Sequence, residues 1–137
     1  MEKKKHNVYN LIILDESGSM EDIKKPTISG FAAIVPPLQA VATKFPEQKH
    51  YISFVTFNGV GIKEMLWNEE VSKLNLINEE LYQPSQSTPL YDALGKSISR
   101  LKEDLPKDIT YNVLVTILTD GEENASRIYS GEDVKKL

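Results

Sequence analysis

Two kinds of hydrophobic periodicity alternate along the chain. Short segments rich in apolar, aromatic and β-branched residues predict strands over residues 8–14, 50–57, 62–67 and 110–119. The first and last of these are apolar on successive positions, as in strands that are covered on both faces of a sheet. Residues 89–104 instead place apolar side chains at three- and four-residue spacing, which predicts an amphipathic helix.

The connections between these segments indicate further elements. Residues 20–46 have helical composition, but Pro36-Pro37 lies within them, and each proline removes a backbone donor and crowds the preceding turn. We therefore expect a kink there or two short helices. Asn58-Gly59-Val60-Gly61 is typical of a turn, and so short a connection predicts an antiparallel hairpin. Residues 131–137 resemble the start of another helix.

The resulting order of elements is strand, helix, hairpin, helix, strand and the start of a helix. This alternation predicts an α/β sandwich with a mostly parallel sheet. The chain has 137 residues, which is enough for one ordinary domain and too few for two.

Composition narrows the class of protein. Hydrophobic residues make up 40% and charged residues 26% of the chain, as in soluble globular domains. No apolar run approaches the ~20 residues of a membrane-spanning helix, and the apolar run near the N-terminus is too short for a signal peptide, so we expect a cytoplasmic protein. The absence of cysteine excludes disulfides and thiolate metal sites. The net charge of -4 argues against nucleic acid as a partner.

Polar oxygen-bearing side chains follow two of the predicted buried strands. Asp15, Ser17 and Ser19 come directly after the first strand, and Asp120 follows the fourth. If these strands are parallel neighbours, both carboxylates lie at the same sheet edge, where open α/β sheets bind their ligands. Two carboxylates that close repel each other, so one takes up a proton or a cation lies between them. Hydroxyl and carboxylate oxygens favour magnesium, manganese or calcium over zinc or copper.

A third loop is predicted to reach the same edge. Thr88 stands directly before Pro89, and proline is favoured at the first position of a helix. Thr88 is therefore expected to be the helix cap, and its hydroxyl could cap the helix or reach a cation.

These three loops carry a resemblance to a known family. The segments DESGSM, STPLYDAL and LTDGEEN resemble the three parts of the metal-ion-dependent adhesion site (MIDAS) of von Willebrand factor type A (vWA) domains. The family pattern is Asp-x-Ser-x-Ser, then a threonine, then an aspartate after a further apolar strand. The matching residues are Asp15, Ser17, Ser19, Thr88 and Asp120. The resemblance covers residues 7–137, which we take as one vWA domain.

The resemblance implies a fold, a cofactor and a kind of partner. The fold would be a three-layer sandwich around a doubly wound, Rossmann-like sheet with one antiparallel edge strand. The site would bind Mg²⁺, or alternatively Mn²⁺ or Ca²⁺. Ser17 and Ser19 would be direct ligands, Thr88 a direct or water-mediated ligand, and Asp15 and Asp120 would act through bound waters. An Asp or Glu of a partner protein would fill the open position. Intracellular bacterial members of the family are often linked to chaperone-type ATPases, metal insertion or stress responses.

One departure from the family pattern affects the fourth strand. Domains of this family usually continue through two more strands and helices, whereas this sequence ends at Leu137. The fourth strand would then be an apolar edge, and such edges tend to pair with other chains. We expect dimerisation through that edge, a segment swap, or completion by another chain.

Simpler interpretations of the same residues stay open. Asp15 with the two serines could form a turn, and Thr88 could act only as a helix cap. Glu16 and Met20 are expected to contact the site without being ligands. His6 and His50 are expected to be surface or packing residues. The loop residues Glu122, Glu123 and Asn124 are expected to be solvated.

Catalysis finds little support among these residues. A serine hydrolase needs a histidine base, and neither histidine is near the three loops. A magnesium-dependent phosphotransfer by Asp15 would need a lysine at the phosphate, and the phosphate-binding loop motif is absent. We therefore expect a binding protein rather than an enzyme. The other alternative is a metal-independent scaffold that pairs through the exposed sheet edge.

Overall fold

The fold alternates strands and helices around one sheet. A computed structural model describes residues 6–45, 47–106 and 110–120 and the single positions 126, 132 and 135. In chain order the elements are β1 (His6–Asp15), a 3-10 turn (Gly18–Ile23), α1 (Lys24–Lys44), β2 (Gln48–Asn58), β3 (Gly61–Glu70), a second 3-10 turn (Val71–Lys73), α2 (Leu90–Asp104) and β4 (Thr110–Leu118). The four predicted strands and the predicted helix over 89–104 are present. In the described part of the chain, no helix is long and apolar enough to cross a membrane.

The sheet is mixed, with four strands in the order β3-β2-β1-β4. β1 is parallel to both of its neighbours, β2 and β4, and β3 is antiparallel to β2. This confirms a mostly parallel sheet whose antiparallel strand lies at one edge. Because β1 and β4 are adjacent and parallel, their carboxyl ends meet, with Leu14 opposite Leu118.

The two long helices cover opposite faces of the sheet. Alternate residues of β1 point to opposite faces, so β1 contributes side chains to the packing of both helices. Ile12 and Leu14 belong to one apolar cluster, and the buried residues that α1 adds to it are Phe31 and Val35. Leu11 and Ile13 belong to the other, and the buried residues that α2 adds are Leu90, Ala93, Leu94 and Leu101. The result is three layers, with a buried β1 in the middle.

The proline pair does not divide α1. A single helix runs through Pro36 and Pro37, so the predicted alternative of two short helices is wrong. Both prolines lie on the exposed side of α1, while Phe31 and Val35 are buried on the other side. Carbonyls that lose their helical partner on the exposed side can bond to water, and the apolar face holds the helix on the sheet.

The predicted hairpin joins β2 to β3. Asn58 pairs with Gly61, and the Asn58 side-chain carbonyl accepts a bond of 3.0 Å from the backbone N–H of Val60. Gly61 has φ of 147°, a conformation that residues with a Cβ rarely adopt. Trp67 of β3 packs against the cluster on the α2 face.

Other sequence predictions have mixed outcomes. His50 is buried near the start of β2, and His6 begins β1. Both histidines therefore lie at the amino-terminal ends of their strands, away from the carboxyl ends where the site is predicted. Four apolar side chains of β4 are well exposed: Tyr111, Val113, Leu114 and Ile117. The turn at Gly121, the loop residues 122–124 and most of the helix start in 131–137 lie outside the described residues.

Candidate functional site

A long connection crosses the carboxyl edge of the sheet and brings the distant loops together. We define the crossing segment as residues 74–89, between the second 3-10 turn and α2. Its first part packs on the α1 face, where Leu74, Ile77 and Tyr82 join the apolar cluster. Its end leads into α2 on the opposite face. The segment must therefore pass over the end of β1, and this carries Thr88 to the loop that begins at Asp15.

Asp15 is a fully buried carboxylate that is held by three hydrogen bonds. Its Oδ1 accepts bonds from the backbone N–H of Ser17 at 2.8 Å and from the Ser17 hydroxyl at 2.5 Å. Its Oδ2 accepts a bond of 2.7 Å from the hydroxyl of Thr119. These three donors fix the orientation of the Asp15 carboxylate at the end of β1.

Three hydroxyl oxygens gather next to this carboxylate. The Thr88 hydroxyl donates to Ser17 Oγ at 2.8 Å, and the Oγ atoms of Ser17 and Ser19 are 3.1 Å apart. Neighbouring ligand oxygens of an octahedral Mg²⁺ are about 2.9 Å apart, since each Mg–O bond is about 2.05 Å long. The spacing of the hydroxyls therefore fits adjacent ligands of one small cation. Thr88 and Ser17 are buried, whereas Ser19 is half-buried and gives access from solvent.

The charge of Asp15 has no cationic partner in the described part of the chain. The salt bridges found there join Lys73 to Glu69 and Arg100 to Glu64 and Asp104. A buried charge without a partner is costly unless a counter-ion or several hydrogen bonds compensate it. Three hydrogen bonds compensate the Asp15 carboxylate here, and a divalent cation at the neighbouring hydroxyls would add an opposite charge.

Asp120 lies at the same sheet edge as Asp15 but in a different environment. It follows β4 by two residues and is exposed, whereas Asp15 is buried. Its charge is among those that raise the pKa of the Tyr82 phenol, after burial and the charge of Asp15. The structure therefore brings Asp15, Ser17, Ser19 and Thr88 into one hydrogen-bonded group, with Asp120 at its edge.

The predicted role of Thr88 as the helix cap is wrong. The N-cap of α2 is Pro89, which has no side-chain cap bond, and the first-turn N–H of Asp92 donates to the Ser126 hydroxyl at 2.9 Å. The helix begins one residue later than the proline pattern predicted, at Leu90, and the Thr88 hydroxyl donates to Ser17 instead. The sequence suggested that this hydroxyl caps the helix or reaches a cation. In the structure it points to the oxygen cluster at the carboxyl end of β1.

Two residues of the site were missed by sequence reasoning. Thr119 supplies a donor to Asp15, and its position directly after an apolar strand was the signal for it. Tyr82 donates its hydroxyl to the backbone carbonyl of Asp15 at 2.5 Å, and no local pattern marked it. Glu16 and Met20 are buried beside the site, and Glu16 accepts a bond from the Gln83 backbone, which agrees with a supporting position.

A cleft opens beside the hydroxyl cluster, between the β2–β3 turn and the start of α2. Its volume is about 760 Å³, and its walls include Val60, Ile62, Pro89 and Lys96. Val60 is 81% exposed, so the cleft offers an apolar contact near the end of the crossing segment.

Two comparisons with known proteins found no match. No protein-family model matches the chain, and no curated protein matches it at a significant level.

Within the described residues, no group of three or more His, Cys, Asp or Glu side chains is placed to hold a metal. The oxygen cluster consists instead of three hydroxyls around one buried carboxylate, with a second carboxylate at the same edge.

Proposed function

We propose that this chain is a vWA domain that binds a divalent cation at a MIDAS and, through it, a carboxylate of a partner protein. The observation that carries the proposal is the cluster of Ser17, Ser19 and Thr88 hydroxyls beside the buried Asp15. The mixed sheet between two helical layers is then the vWA form of the doubly wound fold. We propose that the protein is located in the cytoplasm and that it binds its partner without catalysing a reaction.

The proposed roles follow from the positions of the side chains. Ser17 and Ser19 would hold the cation directly, with Thr88 as a third ligand or through water. Asp15 accepts a hydrogen bond from the Ser17 hydroxyl, so the Ser17 oxygen can turn its lone pairs to a cation once the Thr88 and Ser19 hydroxyls direct their protons elsewhere. Asp15 and Asp120 would act through bound water. Mg²⁺ suits such a site because it keeps several waters and needs few protein ligands, and Mn²⁺ and Ca²⁺ are alternatives.

A bound cation would supply a positive charge with a coordination position open to the outside. A partner's Asp or Glu fits that position, because a carboxylate is a hard anionic ligand. The cleft by Val60 would give the neighbouring residues of the partner an apolar contact. The proposed partner is a protein, and neither a nucleic acid nor a membrane is part of the proposal.

The enzyme alternatives have weaker support. Ser17 donates its hydroxyl proton to a carboxylate, and both histidines lie at the amino-terminal ends of their strands, so no histidine base serves it. A phosphotransfer on Asp15 would need an accessible carboxylate oxygen. Asp15 is 0% exposed, and both of its oxygens already accept hydrogen bonds.

Thermal unfolding with Mg²⁺, Mn²⁺, Ca²⁺ or excess chelator tests the proposal. A ligand that binds only the folded state stabilises it by about 2.7 kcal/mol at a hundredfold excess over Kd, so Tm should rise with the cation. Ser19→Ala should remove most of that rise, since it takes away a ligand from a half-buried position. Ser72→Ala, an exposed serine in the second 3-10 turn, is the matched control and should respond like the wild type. A wild-type Tm that no cation changes would contradict the proposal.

A metal-independent scaffold is the second candidate. The observation that favours it is the row of exposed apolar side chains on β4. Partner capture separates the two functions, because chelation should abolish binding through the cation and leave pairing through β4 unchanged. Binding to the wild type that survives both chelator and Ser19→Ala would place the scaffold first.

A further inference from the structure

Besides the Thr88–Ser17 bond, four hydrogen bonds join the crossing segment to the end of β1 and the loop that follows it. Tyr82 donates to the Asp15 carbonyl at 2.5 Å, and the Gln83 backbone N–H donates to the Glu16 carboxylate at 2.9 Å. The Ser85 N–H donates to the Glu16 carbonyl at 2.9 Å, and the Gly18 N–H donates to the Gln86 carbonyl at 2.8 Å. All four lie between residues 15–18 and 82–86.

Tyr82 is the only side chain of the crossing segment among these four contacts, and it is firmly placed. The residue is 1% exposed, and its ring belongs to the apolar cluster on the α1 face. Its hydroxyl is the donor in the bond to the Asp15 carbonyl. Its target is the backbone of the residue that begins the metal site.

Thr88 is only two residues beyond the last of these contacts, so their geometry limits where its hydroxyl can lie. The approach at Gly18 is already close, because a Cβ there would meet the Gln86 carbonyl oxygen at 3.3 Å. Gln86 itself has φ of 73°, in the left-handed region that residues with a Cβ rarely adopt. The segment has little room to move toward β1, and the Tyr82 bond resists its movement away.

We propose that Tyr82 is a positioning residue that holds Thr88 within bonding distance of Ser17 and thereby sets the cation affinity. The inference rests on the proposed function for its effect on cation binding. Its structural half, the dependence of Thr88 on the Tyr82 hydroxyl, does not require a cation. Tyr82 itself touches neither the cation nor the partner.

A double-mutant cycle on Mn²⁺ affinity tests the proposal, with the wild type, Tyr82→Phe, Thr88→Ala and the double variant. Tyr82→Phe keeps the ring in the apolar cluster and removes only the hydroxyl. We expect it to weaken Mn²⁺ binding about threefold to tenfold, as for the loss of one buried hydrogen bond. If Tyr82 acts through Thr88, the double variant should bind no more weakly than Thr88→Ala alone. Tyr111→Phe on β4 is the matched control and should bind Mn²⁺ like the wild type.

The NMR shift of the Thr88 methyl group in the metal-free protein gives a second readout. Tyr82→Phe should move this signal, and Tyr111→Phe should leave it in place. Additive losses of Mn²⁺ affinity, or an unmoved Thr88 methyl signal, would overturn the positioning role. A wild type that binds no Mn²⁺ would instead overturn the proposed function and the effect on affinity, while the methyl signal would still decide whether Tyr82 places Thr88. The affinities are compared at a temperature where circular dichroism shows every variant to be folded.

Discussion

Gly59 and Gly30 differ in the space that a Cβ atom would find, so replacing each with alanine should change stability in opposite directions. A Cβ at Gly59 would lie 2.2 Å from Ser87 Oγ and 3.1 Å from the Ser87 backbone nitrogen, next to Thr88. A Cβ at Gly30, inside α1, would meet nothing within 4 Å. Gly59→Ala should therefore destabilise the protein by about 1–3 kcal/mol through overpacking. Gly30→Ala should stabilise it by up to about 1 kcal/mol, since alanine is the better helix residue. Urea unfolding measures both changes.

Ser87→Ala gives the control for the overpacking at Gly59. It removes the Oγ atom that the new Cβ would meet, so the double variant Gly59→Ala/Ser87→Ala should recover part of the lost stability. Equal stability losses in the presence and absence of the Ser87 hydroxyl would show that the close approach has another cause.

His50 predicts a dependence of stability on pH. Its side chain is buried, its Nε2 has no hydrogen-bond partner among the described residues, and its pKa is lowered by burial and then by the charge of His6. A lowered pKa means that the unfolded chain binds the proton more readily. Stability from this site is therefore complete above about pH 6.5 and decreases as the pH falls toward the folded-state pKa. Urea unfolding from about pH 7.5 to about pH 5.5 measures this decrease.

The variant His50→Gln should flatten the pH dependence over this range, because it removes the group that titrates. His6→Gln should reduce it less, since the charge of His6 is the smaller cause of the lowered pKa. A slope that persists unchanged in His50→Gln would assign the effect to other groups.

At the scale of elements, α1 tolerates a pair of prolines because its packing outweighs its local propensity. The exposed Pro36 and Pro37 each remove a helical hydrogen bond. Pro36→Ala and Pro37→Ala should therefore each stabilise the protein, by about 1–3 kcal/mol. Thermal unfolding checks this.

Pro26 offers a control within the same helix. It is the third residue of α1, where the backbone N–H has no helical acceptor, so Pro26→Ala should change stability little. A loss of stability in Pro36→Ala or Pro37→Ala would mean that the packing of α1 depends on the shape that the prolines impose.

At the scale of the whole molecule, β4 has the least cover of any strand that leads to the site. In the described chain it pairs only with β1, and the four exposed apolar side chains lie along it. We expect copies of the chain to associate through β4, because an unpaired apolar edge presents both backbone groups and side chains to a partner. The average sedimentation coefficient of the wild type should rise with protein concentration.

Leu114→Lys on β4 should abolish this association, since it places a charge on the apolar edge. The matched control is Leu76→Lys, because Leu76 is 56% and Leu114 is 54% exposed. A monomer at every concentration, or association that Leu76→Lys removes equally, would contradict pairing through β4.

Local sequence patterns were enough to predict the strands, the second helix and the polar residues of the loops. Runs of apolar and β-branched residues form strands because their side chains suit a pleated, buried surface, and neighbours within a few residues suffice to recognise them. The same local reading found Asp15, Ser17 and Ser19 at the end of β1. It failed at Thr88, where the proline rule predicted a helix cap, because the contact with Ser17 is not a local one.

The contacts between distant groups of the site follow from the folded chain as a whole. Tyr82 and Asp15 are 67 residues apart in sequence, Thr88 and Ser17 are 71, and Thr119 and Asp15 are 104. These contacts depend on the pairing of β1 with β4 and on a segment that must cross from the α1 face to the α2 face. Such choices rest on the packing of the entire sheet, so no short stretch of sequence contains them.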